Sequence, residues 1–181
     1  QNKIAFTTFT GSAEIAGKVL KDLSNFAAKT PFDLPQVVDG SKRLMAYGIE
    51  ADKIIPTFKT LGDIAAGVGT DKLPQLILAF GQVKAATRLT GAELRQFSEA
   101  GVPLLETLAK QYKTTAAEIQ DMVSDGSIGF SDVEKALQGM TGEGGKFFDL
   151  MDKQSKSFSG VMSNARDELI RFSLAIMGMT E

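Results

Sequence analysis

The side chains that most often do chemistry are scarce here: the 181-residue sequence has no histidine and no cysteine. The commonest general base and transition-metal ligand is missing with the first, and disulfides and thiolate chemistry with the second. Carboxylates remain, 22 of them against 20 Lys and Arg. Two carboxylates flanking a cleft can hydrolyse a glycoside. However, Glu93, Glu118 and Glu134 each stand three residues after a hydroxyl residue, Thr90, Thr115 and Ser131, which is the spacing of a helix capping box. The other acids fall at helix starts or on charged faces, away from any aromatic platform for a sugar. Asp121 and Asp125-Gly126 offer too few oxygens for a calcium loop. TGEGGK at 141–146 has the glycines of a phosphate loop, but lacks its spacing, has no hydroxyl residue after Lys146 and follows a helical pattern instead of a strand. No catalytic residue, metal ligand or cofactor site is expected, and the chain reads as a non-enzyme.

Nucleic-acid binding is the other chemistry to weigh. LAKQYKTTAAEIQDMVSDG at 108–126 has the outline of a helix-turn-helix. Its charge is wrong for DNA. Residues 90–140 carry four basic side chains (Arg95, Lys110, Lys113, Lys135) and eight acidic ones, and the would-be recognition helix carries Glu118 and Asp121 with no Lys or Arg. Phosphate attraction supplies most non-specific affinity, and base reading leans on Arg and Lys. Residues 1–89 hold eleven basic and eight acidic residues, spread along helices as a solvated surface would be. Sequence-specific DNA binding is not expected.

The elements around these residues are helical. Ser12 precedes an amphipathic stretch over 12–28 with Ile15, Val19, Leu23 and Phe26 on one side. Pro35 suits the first turn of the next helix, and Gly48 its left-handed close. Ile54, Ile55, Phe58, Leu61, Ile64 and Ala65 mark a third helix running out at Gly67 and Gly69, and Leu73, Leu76, Ile77, Phe80 and Val83 a fourth. Gly81, inside the fourth, points to close approach of a neighbouring backbone. TGAELRQFSEAG (90–101) and TAAEIQDMVSDG (115–126) share one grammar, a threonine cap, a glutamate three residues on and a closing glycine, with a helix from Pro103 between them. Ser131 and Glu134 repeat it before Val133–Met140. Residues 4–9, IAFTTF, have strand propensity but no partner strand, and are read as a helix end or extended arm.

TGEGG at 141–145 is the best internal hinge. Beyond it Phe158, Met162, Ala165, Leu169, Phe172, Ile176 and Met179 are spaced 4, 3, 4, 3, 4, 3, a heptad seam of about three repeats. A core helix of the bundle is the preferred reading over a free rod, because the run is short. If uncovered, Phe158, Met162, Leu169, Phe172, Ile176 and Met179 would form a partner interface or mediate self-association. Five of the seven methionines follow residue 139, as core filling or an adaptable surface. The expected fold is all-α: eight or nine short helices as a bundle of antiparallel pairs over 1–140, the hinge at 141–145, and a longer C-terminal helical segment over 146–181. No apolar run reaches the roughly 20 residues of a membrane span. Starting at Gln1, the chain is expected to be one module cut from a longer protein.

Seven stretches resemble the conserved domain of phage tail tape measure proteins, in that family's order across about residues 27–169: TPFDLPQVV, LMAYGIEADKIIPTFKTLGDIAAG, LPQLILAFGQVKA, RLTGAELRQFSEAGVPLL, MVSDGSI, DVEKAL and SGVMSNARDEL. The resemblance implies a structural role in tail assembly and tail-length determination. The implied location is the virion tail, with the host cytoplasm as the site of assembly. The implied partners are tube proteins, tail-tip or baseplate proteins and assembly chaperones. A DNA-binding regulator and a cell-wall hydrolase are the rival classes.

Overall fold

Helix begins earlier than strand propensity suggests. A computed structural model describes the backbone of residues 2–176 and the side chains of 2–173, and it opens on helix α1 (Asn2–Thr10). The hydroxyls of Thr7, Thr8 and Thr10 donate to the carbonyls of Lys3, Ile4 and Phe6, four residues back, at 2.8, 3.0 and 2.8 Å. β-Branched residues lose χ1 freedom in a helix, but here the hydroxyls find partners on the helix itself. Phe6 is fully buried, and α1 packs on the next two helices. IAFTTF is therefore neither a helix end nor an extended arm. It brings the described residues to ten α-helices, with no strand among them beyond a lone bridge between Arg88 and Gly129.

Local grammar accounts for most boundaries. Ser12 caps α2 (Ala13–Ala27) by accepting from the Ile15 N–H. Val19 and Leu23 are buried and Phe26 packs on the core as expected, but Ile15 is exposed and Ala16 takes the inward place. Asp33 and Gln36 close a reciprocal capping box at 2.8 and 3.0 Å to start α3 (Leu34–Ala46). Gly48, at φ +91°, ends it, and the Ile49 N–H returns to the Leu44 carbonyl at 3.0 Å. After a 3-10 turn comes α4 (Ile54–Val68). It is the axis of the molecule, packing against α2, α3, α5 (Leu73–Ala86), α9 and α10. Phe58, fully buried on α4, meets Phe26 and Phe32 edge to face at centroid distances of 5.5 and 6.1 Å.

The second half repeats the short-helix grammar with variations. In α6 (Gly91–Glu99) the Glu93 carboxylate accepts from the Thr90 N–H at 3.1 Å, completing the box. In α8 (Ala116–Ser124) Thr115 accepts from the Glu118 N–H at 3.2 Å, but the Glu118 carboxylate takes the Thr114 hydroxyl at 2.7 Å, so only half of the box forms. Gly101 and Gly126 close the two helices at φ +87° and +80°. The expected Ser131–Glu134 cap is absent. α9 (Phe130–Thr141) starts two residues earlier, and the Asp132 carboxylate accepts from the Gly129 N–H at 2.9 Å. The bridge pulls the start inward: the Phe130 N–H donates to the Thr87 carbonyl at 3.2 Å and the Leu89 N–H to the Ile128 carbonyl at 2.8 Å. α7 (Leu104–Tyr112) packs on α8 and α9.

Gly81 sits mid-helix in α5 because the Tyr47 ring lies where its Cβ would be. Gly139 in α9 meets nothing within 4 Å. Alanine removes about 1 kcal/mol of helix cost at either site. Gly81→Ala is therefore expected to lower stability by about 1–3 kcal/mol through overpacking, while Gly139→Ala raises it by about 0.5–1 kcal/mol. Urea titration of both variants measures the contrast, and equal shifts would show that Tyr47 does not hold that position.

Candidate interaction surface on the C-terminal helix

The last helix, α10, spans Leu150–Ile176. Its 27 residues make a rod of about 40 Å at 1.5 Å per residue. Its two ends live in different environments. Before it, the chain turns tightly off α9: the Gly145 N–H donates to the Gly142 carbonyl and the Phe147 N–H to the Met140 carbonyl, both at 2.8 Å. Phe147 and Met151 are then buried. They fit because α4 lacks side chains where they lie. A Cβ at Gly67 would land in the Phe147 ring, and one at Gly62 on the Met151 sulfur.

Polar contacts fix the same junction. The first N–H groups of a helix have no partner within it, and the Met151 N–H donates to the Asp63 carboxylate at 2.9 Å. Gln154 Nε2 donates to the Ala66 carbonyl at 2.7 Å. Lys59 Nζ stands 3.8 Å from Asp63 and 3.7 Å from Asp149. The Asp63 side chain is 2% exposed. Burial pushes its carboxyl above the ordinary value, and the Met151 N–H and Lys59 pull it back. The sequence reading passed over Asp63. Its signal was a lone acid inside LGDIAAG, among residues that all pack inward.

Past the junction α10 leaves the bundle. Every residue from Lys156 to Ser173 is exposed. Phe158, Leu169 and Phe172 are 68%, 73% and 67% exposed, and Met162 and Ala165 are exposed with them. The preferred expectation of a core helix is thus overturned. The physical reason is that the glycine notch on α4 receives only the first turns of α10, and α4 itself stops at Val68. Of the six seam residues assigned to an interface, the structure brings Phe158, Met162, Leu169 and Phe172 to the surface of one helix. Ile176 is the last helical residue, and Met179 lies outside the described residues. Exposed Val161, three residues from Phe158, widens the strip. The polar side carries Arg166, Asp167, Glu168 and Arg171.

Elsewhere the geometry offers little for catalysis. Glu50 and Glu134 do reach one cleft of about 370 Å³, with Phe80 and Phe130 among its walls, a pairing the sequence did not disclose. A sugar would stack on the Phe130 face, but Lys84 Nζ sits 4.8 Å from that ring's centroid and Phe80 meets it edge to face at 5.1 Å. Among the described residues no three His, Cys, Asp or Glu side chains gather as metal ligands, and no helix is long and apolar enough to cross a membrane. The helix-turn-helix outline is real in shape, since α7 turns through left-handed Lys113 (φ +55°) into α8. α8 still presents Glu118 and Asp121 without a cation.

Comparison with known proteins matches the whole described chain. A family model described as "Tape measure protein" matches residues 1–177. Over 164 residues the chain is 31% identical to "Mu-like prophage FluMu protein gp42" of Haemophilus influenzae, covering 88% of this chain and 25% of that protein. The chain thus spans about a quarter of that relative's length. No solved structure matches. A match that runs unbroken from α1 through the exposed rod makes this chain a member of the tape measure protein family.

Proposed function

We propose that the chain is a structural module of the ruler in a phage or prophage tail, acting in tail assembly and in setting tail length. The family match over residues 1–177 carries this reading. The prophage name of its Haemophilus relative supports it. The module is not an enzyme and uses no cofactor. Its place is the virion tail, reached by assembly in the host cytoplasm. The bundle is the folded body and the rod its continuation along the tail. The Gly-rich stretch at 141–145 serves as the connector, and the rod is free of the body only past Gln154. Tube, tail-tip or baseplate proteins and assembly chaperones are its partners, and the apolar strip of α10 serves contact with them or with other copies.

The test uses the full-length parent protein. Four heptads inserted within the exposed part of α10, in register, add about 40 Å of helix. Tails measured by electron microscopy are expected to lengthen by about that amount. Unchanged tail length in infectious particles would overturn the view of α10 as part of the ruler. Tails of normal length from a parent lacking residues 1–176 would overturn the wider reading.

A further inference from the structure

Asp63 is the most deeply buried acid among the described residues, and nothing in α4 itself requires it there. A buried carboxylate is costly unless its hydrogen bonds are met, and an apolar residue at this position would carry no such cost. What Asp63 does is select one N–H, that of Met151, at 2.9 Å. The glycine notch already favours one seat by shape, with Met151 over Gly62 and Phe147 over Gly67, and the Asp63 hydrogen bond fixes the same seat by direction. A single hydrogen bond between buried groups does not slide.

We propose that Asp63 is a register pin, and that residues 147–154 form a detachable dock joining the rod to the bundle. The pin sets where α10 begins on α4, and hence the direction in which the rod leaves. The dock is small. It consists of buried Phe147 and Met151, half-buried Leu150 beside Gly67, the Asp63 and Gln154 hydrogen bonds, and Lys59 bridging Asp63 to Asp149. From Lys156 onward the rod adds no buried contact. A unit held through its first turns against one helix, with no buried residue farther along, opens at lower free energy than the core it rests on, so a pull on the rod releases the dock before the bundle unfolds.

Hydrogen exchange on the full chain, read by mass spectrometry, tests both parts. In the wild type, amides of 150–154 are expected to exchange faster than those of Phe58, Leu61 and Ile64 in the core of α4. Asp63→Ala leaves the Met151 N–H without its acceptor, so exchange over 150–154 should rise by about tenfold or more while the α3–α5 amides hold. Asp63→Asn keeps an oxygen acceptor and should restore protection. Spin labels at exposed Glu99 and Ser163 should give a narrow distance distribution in the wild type and in Asp63→Asn, and a broad one in Asp63→Ala. Three results would each overturn the proposal: 150–154 exchanging in step with the α4 core, Asp63→Ala leaving exchange and distances unchanged, or Asp63→Ala unfolding the bundle with the rod.

Discussion

Phe58→Ala is expected to cost about 3–5 kcal/mol, the largest loss from any single truncation in the bundle. The ring is fully buried at the middle of the axial helix. It stands edge to face with Phe26 from α2 and Phe32 from the α2–α3 loop. On its other side α3 comes so near that a Cβ at Gly40 would lie 2.8 Å from Phe58 Cε2 and 2.7 Å from Ile77 Cδ1. Four segments therefore meet at one side chain. Removing it leaves a cavity bounded by stiff rings and helix backbone that relax little, so the cost falls toward the upper end of the range. Domains of this size have about 5–15 kcal/mol of total stability. The urea midpoint should fall by a third or more with the slope kept, and the variant should be near half unfolded at temperatures where the wild type is intact. A loss below about 1 kcal/mol would show that the three phenylalanines do not form one packed centre.

Pro35 and Gly48 at the ends of α3, the Thr90–Glu93 box of α6 and the Thr115 cap of α8 were legible because their signals are local. A cap, a periodic face and a left-handed glycine all lie within one helix and need no knowledge of the rest of the chain. Where the reading failed, a distant group decided. IAFTTF is helical because its threonines bond back along the turn and because α2 and α3 bury Phe6. The start of α9 is set by Asp132 and not by Ser131, because Thr87, more than forty residues away, takes the Phe130 N–H.

The surface on α10 was legible as a pattern and not as an exposure. A 4-3 repeat looks the same whether the bundle covers it or solvent does. What settles it is the pair Gly62 and Gly67, which in sequence look only like helix-weakening residues. In the fold they form the notch that receives Met151 and Phe147 and no more. Farther along, Phe158 and Val161 only border an open groove beside Pro31 and Phe32, and stay exposed. Asp63 stayed hidden for the same reason: its partner is 88 residues away.

Replacing Leu169 and Phe172 together by glutamate is expected to abolish self-association of the chain while leaving the bundle intact. Both side chains are about seven-tenths exposed, so the folded monomer loses no buried surface, and glutamate is a good helix former that keeps α10 helical. Substitutions at such positions change stability by about 0.5 kcal/mol or less, so the melting temperature should stay within a few degrees. The loss falls on association. Phe158, Met162, Leu169 and Phe172 line up exposed on one side of the helix, and an exposed apolar strip of this kind is an association site. Two carboxylates set into the strip would have to be desolvated in any packed interface. Light scattering should therefore show the wild type as an oligomer at concentrations where the double variant is a monomer. Leu20→Glu, on a half-buried residue packed against the core, is the control that should lower melting instead. A wild type that stays monomeric at high concentration would show that copies of this chain do not meet through α10.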